Sequence, residues 1–256
     1  MRINWIKTNL NVIQKICLSG LFIALVVVLQ KVVAINYLAF APFMRISLGG
    51  PALIIFSSVF LGPVYGMMIG IASDLLGYLA FDASGLPPFL QITAIYALLG
   101  LVSYFVFSFV FSIKNRRVLL IIEIIVMALI WALVVTFTLT KSEIFGSSFE
   151  LGVVGKVLVC SISGAIFLAI ILLSILIKPK SKSVFASPLH ICFASFICDF
   201  FVLLLFGSVM KAWAFGFNAF LTILVVQAFV LFFNVFLDTF FISGFLRFTK
   251  KYFVEE

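Results

Sequence analysis

The chain has 256 residues, 65% hydrophobic and only 10% charged, with mean hydropathy +1.35 and 33 phenylalanines. Soluble domains are roughly 45–50% apolar and about 25% charged, so this mixture cannot build a water-facing surface. Its net charge of +8 sits in short clusters between apolar runs, which excludes a nucleic-acid-binding face and leaves membrane topology as the reading.

A helical span needs about 20 apolar residues, whereas a barrel strand needs about ten in alternation. The long unbroken runs therefore predict an all-α integral membrane protein, one transmembrane domain over 1–256. The run after the basic stretch Met1–Lys15 is too long for a signal-peptide core and has no small-residue cleavage site, so it is expected to stay as the first span. Spans are expected near 16–36, 46–62, 63–81, 92–113, 118–140, 152–177, 185–206 and 213–246. Within 46–81 the pair Gly62-Pro63 breaks the helix, because proline lacks an amide donor and disfavours helix at the preceding residue.

Charge supports that hairpin. Eight crossings collect Arg2, Lys7, Lys15, the 114–117 loop, the 178–182 loop and Arg247/Lys250/Lys251 on one side, which the positive-inside rule makes cytoplasmic. Both termini are then inside a plasma membrane. The external loops become 37–50, 82–91, 141–151 and 207–212, and the first two, rich in aromatics and prolines, read as lids.

Along the chain, Gly20 and Ala24 form a small-xxx-small pair in the first span, suited either to packing inside the bundle or to docking a partner helix. Gly66, Gly70, Asp74 and Gly77 share one face of the third span. Glycine permits close backbone packing there, so Asp74 is expected to point into protein, as structural support, for instance beside Arg45, or as a ligand contact. Glu123 follows a basic loop and is expected to reach interfacial water or Arg116/Arg117. The stripes Cys192/Ser195/Asp199 and Gln227/Asn234/Asp238 read as interhelical glue.

The chemistry of catalysis is missing. His190 is the only histidine, and no HExxH, GxSxG, GxGxxG or Asp-rich pair occurs. Gly152–Val157 echoes a phosphate loop with the wrong spacing and no hydroxyl residue. Cys17, Cys160, Cys192 and Cys198 lie in apolar runs without ligand spacing and read as buried neutral thiols. No metal, cofactor or enzymatic activity is expected.

Five segments in register, residues 20–29, 44–51, 60–66, 72–77 and 86–93, resemble the substrate-binding S components of energy-coupling factor vitamin transporters, most closely the folate branch. Residues 203–251 resemble that family's last hairpin more loosely. The resemblance implies a six-helix bundle over 16–113 and 185–246, and the hairpin at 118–177 adds two helices. It also implies a vitamin pocket at the outer face, no cofactor, and a first helix whose Gly20 and Ala24 dock a transmembrane coupling subunit carrying two ATPases. The body would reorient in the bilayer when ATP is hydrolysed.

A folate-like ligand offers a flat ring and an anionic tail. Phe43 and Arg45, then Phe89, Gln91, Thr93 and Tyr96, then Lys211 and Trp213 are the candidate contacts; riboflavin, thiamine or pantothenate would suit the same architecture. The rivals are a self-sufficient secondary transporter, with Asp74, Asp199 and Glu123 as coupling groups but no visible repeat, an intramembrane enzyme, and a ligand-free scaffold.

Overall fold

A computed structural model describes residues 8–33, 49–81, 89–113, 115–140, 153–176, 187–217 and 220–249. Helix α1, Val12–Val27, begins where Gln14 Oε1 accepts the Asn11 N–H at 3.0 Å, and it passes into a π-helical turn at Val28–Val32. Helix α2, Gly50–Leu61, has all twelve residues buried. Twelve residues rise about 18 Å, short of the roughly 30 Å hydrocarbon core. The expected span 46–62 is thus a short helix starting at Gly50, with 46–48 outside the described residues. Its start is fixed by Gly49, which sits at φ 94° with the Phe241 ring 2.7 Å from where a Cβ would stand.

At Gly62, φ 107°, the chain reverses into α3, Pro63–Phe81. A Cβ on Gly66 would lie 2.7 Å from Ser58 Cα, whereas one continuous helix would separate those residues by about 12 Å. The expected break at Gly62-Pro63 is therefore a fold-back. Helix α4, Leu90–Phe111, packs against α3 along glycine: a Cβ on Gly100 would overlap the Gly66 carbonyl, and one on Gly70 the Tyr96 carbonyl. Small residues permit such approach between membrane helices.

Helices α5, Arg116–Thr140, and α6, Val153–Leu176, pack together where the spans 118–140 and 152–177 are expected. Trp131 of α5 stacks on Phe167 of α6 at 6.2 Å. The next element departs from expectation. Helix α7, Pro188–Cys198, runs through a π-helical segment, Asp199–Phe206, directly into α8, Gly207–Phe215. Residues 207–212, read as an external turn, are helical because Gly207 keeps φ −62° and ψ −39°; the reversal comes at Gly216, φ 106°. Helix α9, Phe220–Thr249, completes the fold.

Among the described residues, seven helical segments are long and apolar enough to cross a membrane, and α2 is a shorter apolar helix. Two apolar cores result. One joins α1–α4 to α7 and the end of α9; the other joins α5 and α6 to α7, the π segment and α9.

One end of the bundle is basic. There Thr8 donates to the Phe60 carbonyl at 3.2 Å and the Lys15 ammonium stands 5.8 Å from the Tyr65 ring. Arg116 Nη2 donates to the Ser174 carbonyl at 2.7 Å. His190 Nε2 lies 2.9 Å from the Ile113 carbonyl and so donates to it, leaving Nδ1 to accept from Ser187 Oγ at 3.0 Å. The single histidine thus pins α7 to the end of α4.

Candidate functional site

Polar groups gather in three places inside an otherwise apolar bundle. The first joins α1, α3 and α4. Thr93 Oγ1 donates to Asp74 Oδ2 at 2.7 Å, and both side chains are buried. Lys31, from the π turn of α1, crosses Gly77, where a Cβ would meet its side chain at 2.7 Å, and acts electrostatically on Asp74. Beside Lys31 in sequence, Gln30 is buried with its Nε2 unpartnered among the described residues. The glycine face predicted for α3 turns Asp74 into protein as expected.

The neighbouring candidates sit at the start of α4. Phe89 is its N-cap and 39% exposed, Gln91 is half-buried in the first turn, and Tyr96 packs against the core, its backbone lying on Gly70. Phe43, Arg45, Asp82 and the two expected lids, apart from Gly49, Gly50 and Phe89–Gln91 at their margins, lie outside the described residues.

The second place is α8 against α9. The Gln227 amide, oriented to satisfy both neighbours, accepts from Lys211 Nζ at 2.5 Å and donates to the Leu203 carbonyl. Trp213 is two residues further along the helix, about 200° around at 3.6 residues per turn, and is 62% exposed. The helix does not bring Lys211 and Trp213 together: one faces the bundle and the other its outside. Helix α8 also packs on α4, so Lys211 belongs to the same half of the bundle as Thr93.

The third place was underread in the sequence. Asp199 is fully buried and Asp238 is 1% exposed. Their carboxyls are hydrogen-bond neighbours, and the backbone N–H of Ala52, in the first turn of α2, donates to Asp238. Apart from each other, both Asp199 oxygens and Asp238 Oδ2 have no partner among the described residues. The positive end of α2 faces this pair, as helix termini favour anions. The two stripes read as interhelical glue, but nothing in either one pairs Asp199 with Asp238. Counting from the basic end was the available signal: Asp74 and the start of α2 both lie 12 residues from Gly62, Asp199 lies 12 from Ser187 and Asp238 11 from Thr249, all about 17–18 Å deep.

Two further expectations change. Glu123 does not reach interfacial water or the neighbouring arginines. It is buried, accepting from Cys192 Sγ at 2.9 Å and Ser174 Oγ at 3.5 Å, while Arg116 is engaged with the Ser174 carbonyl. Residue 123 is seven positions along α5, about 10 Å from its start, and its helix face turns towards α7. Of the four cysteines, Cys192 and Cys198 are buried, but Cys160 is half-buried and Cys17 exposed, because α1 contacts the bundle on one side only.

That lightly buried α1 carries Gly20 and Ala24 on its exposed face, and a Cβ on Gly20 would meet nothing within 4 Å. Among the described residues no three His, Cys, Asp or Glu side chains converge as metal ligands. No family model, curated protein or solved structure matches this chain.

Proposed function

We propose that this multi-pass membrane protein is a substrate-capture subunit of the energy-coupling factor type, binding a vitamin, best a folate, at the outer face. It is not an enzyme in this reading, and its basic end, with both termini, faces the cytoplasm. A transmembrane coupling subunit and two ATPases supply the energy that reorients it.

The observation that carries this reading is the free small pair on α1. Gly66, Gly70, Gly77 and Gly100 are all consumed by packing inside the chain, whereas Gly20 and Ala24 face outwards with space for another helix. In lipid, close approach of small residues is a main route to helix association. For the ligand, Lys31, Asp74 and Thr93 together with Gln91, Tyr96 and Lys211 offer donors, acceptors and a cation in one half of the bundle. Phe43 and Arg45 precede α2 and are proposed to close over the ligand, with Arg45 on its carboxylate.

Docking and capture are separable. In Gly20→Leu with Ala24→Leu, vitamin affinity of the isolated protein is expected to stay within about twofold, while association with the coupling subunit and ATP-driven uptake are lost. Joint loss of ligand binding and thermal stability would assign the pair to internal packing and sink the docking role. A panel of folate, riboflavin, thiamine and pantothenate on the purified protein tests the substrate; tight binding of another vitamin with no folate binding overturns folate.

A second reading rests on Asp199 and Asp238. Carboxyls buried at mid-depth against the start of a short helix also suit an ion-coupled secondary transporter. Gradient-driven uptake by vesicles containing this chain alone, abolished by Asp238→Asn, would favour that reading over the coupled one.

A further inference from the structure

Between the end of α6, the start of α7 and the last turns of α9 lies an open groove of about 490 Å³, unrelated to the outer polar cluster. Leu173, Pro188, Phe240, Phe245 and Phe248 give it an apolar wall, and Arg247 stands on its rim. Phe240 and Phe248 are among the most exposed aromatics of the chain, at 69% and 83%. Gly244 forms part of the wall, and a Cβ added there would meet nothing within 4 Å. The groove follows α9 from Thr239 to Phe248, about 14 Å.

Size and charge select the occupant. A single acyl chain is slender enough to lie in the groove. The rim carries a cation: Arg247 is exposed in the last turn of α9, and in the sequence Lys250 and Lys251 follow it while Lys178, Lys180 and Lys182 precede α7. Anionic headgroups concentrate near such clusters at the inner leaflet. We infer that the groove holds one chain of an anionic glycerophospholipid, with the phosphate on Arg247, as a lipid site at the basic end of the bundle. This goes beyond the capture reading and does not depend on which vitamin is bound.

Native mass spectrometry of the full chain in mild detergent, titrated with phosphatidylglycerol or phosphatidylcholine, tests it. The wild type is expected to bind phosphatidylglycerol about tenfold or more tightly than phosphatidylcholine, the worth of one charge-assisted contact. Arg247→Gln should bring the two lipids near parity. Gly244→Leu, which fills open space, should weaken both lipids with the melting temperature unchanged. Equal binding of the two lipids by the wild type, or undiminished binding by Gly244→Leu, overturns the site. So does glycerol phosphate binding as tightly as the intact lipid, since the groove would then contribute nothing. Quantitative disulfide formation between Gly244→Cys and Lys182→Cys in the presence of lipid would assign the groove to the chain's own 177–186 segment and also overturns it.

Discussion

Gly100→Ala is the sharpest test of how α3 and α4 meet. The new methyl would stand 2.8 Å from Met67 N, with the carbonyl group of Gly66 closer still; against an ordinary contact of 3.4 Å the shortfall is at least 3.4 − 2.8 = 0.6 Å. Both sides of the contact are backbone, so no side chain can rotate away and the helices must part. Overpacking of this kind costs about 1–3 kcal/mol, and the rigid contact puts Gly100 in the upper half of that range. The substitution also gains about 1 kcal/mol of helix propensity, which obscures the clash in a single measurement. Gly20→Ala supplies the correction, since it makes the same chemical change where a Cβ meets nothing. The difference between the two variants isolates the clash and is expected to be about 2–3 kcal/mol, or roughly 4–12 °C of melting temperature at about 2–4 °C per kcal/mol. Thermal unfolding of both in the same detergent measures it. A difference under about 0.5 kcal/mol would mean that α3 and α4 are not in backbone contact, and the placement of Asp74 beside Thr93 would go with it.

The Asp74–Thr93 bond gives a second test: Thr93→Val leaves a buried carboxylate short of a donor and should cost about 1.5–3 kcal/mol, whereas Thr93→Ser should restore most of it. Equal losses in Val and Ser would point to methyl packing rather than the hydroxyl. Thiol labelling with a small maleimide, followed by intact mass, should modify Cys17 in the folded protein and reach Cys192 and Cys198 only on unfolding. Labelling of either buried thiol at the rate of Cys17 would contradict the packing of α7.

Much of the fold was legible because its rules are local. Unbroken apolar runs and basic loops give the long helices, and Gly62-Pro63 gives the fold-back, since backbone chemistry alone stops a helix there. Gly66 and Gly70 announced a close seam on α3, although what meets them across it, Gly100 and the Tyr96 backbone, was not visible in the pattern. Gly207 misled for the same local reason: a glycine between apolar stretches reads as a turn, yet its φ of −62° is available to any residue, and tertiary packing of α8 kept it helical. The candidate site was less legible. Thr93 and Asp74 are 19 residues apart and were named separately, but nothing in either stretch states that they bond. Lys211 and Trp213 were grouped because a loop allows both to face one ligand; a helix does not.

The α5–α6 hairpin is built into the rest of the bundle. Its α5 supplies Glu123 and its α6 supplies Ser174, and through Glu123 the hairpin reaches Cys192 on α7. Helices α7 and α9 serve both apolar cores, and these same two helices carry Asp199 and Asp238. A lipid-exposed polar group in the hydrocarbon region has no water to turn to. The acid pair therefore needs cover inside the protein, and the start of α2 and Cys198, both of the first core, supply part of it. A six-helix version of the fold made by deleting 116–176 would remove Glu123, the acceptor of the Cys192 thiol, and bare the second core's faces of α7 and α9. Glu123 thus ties the α5–α6 hairpin to the polar interior of α7 across 69 residues of sequence, a link that the pattern of the first hundred residues could not by itself foretell.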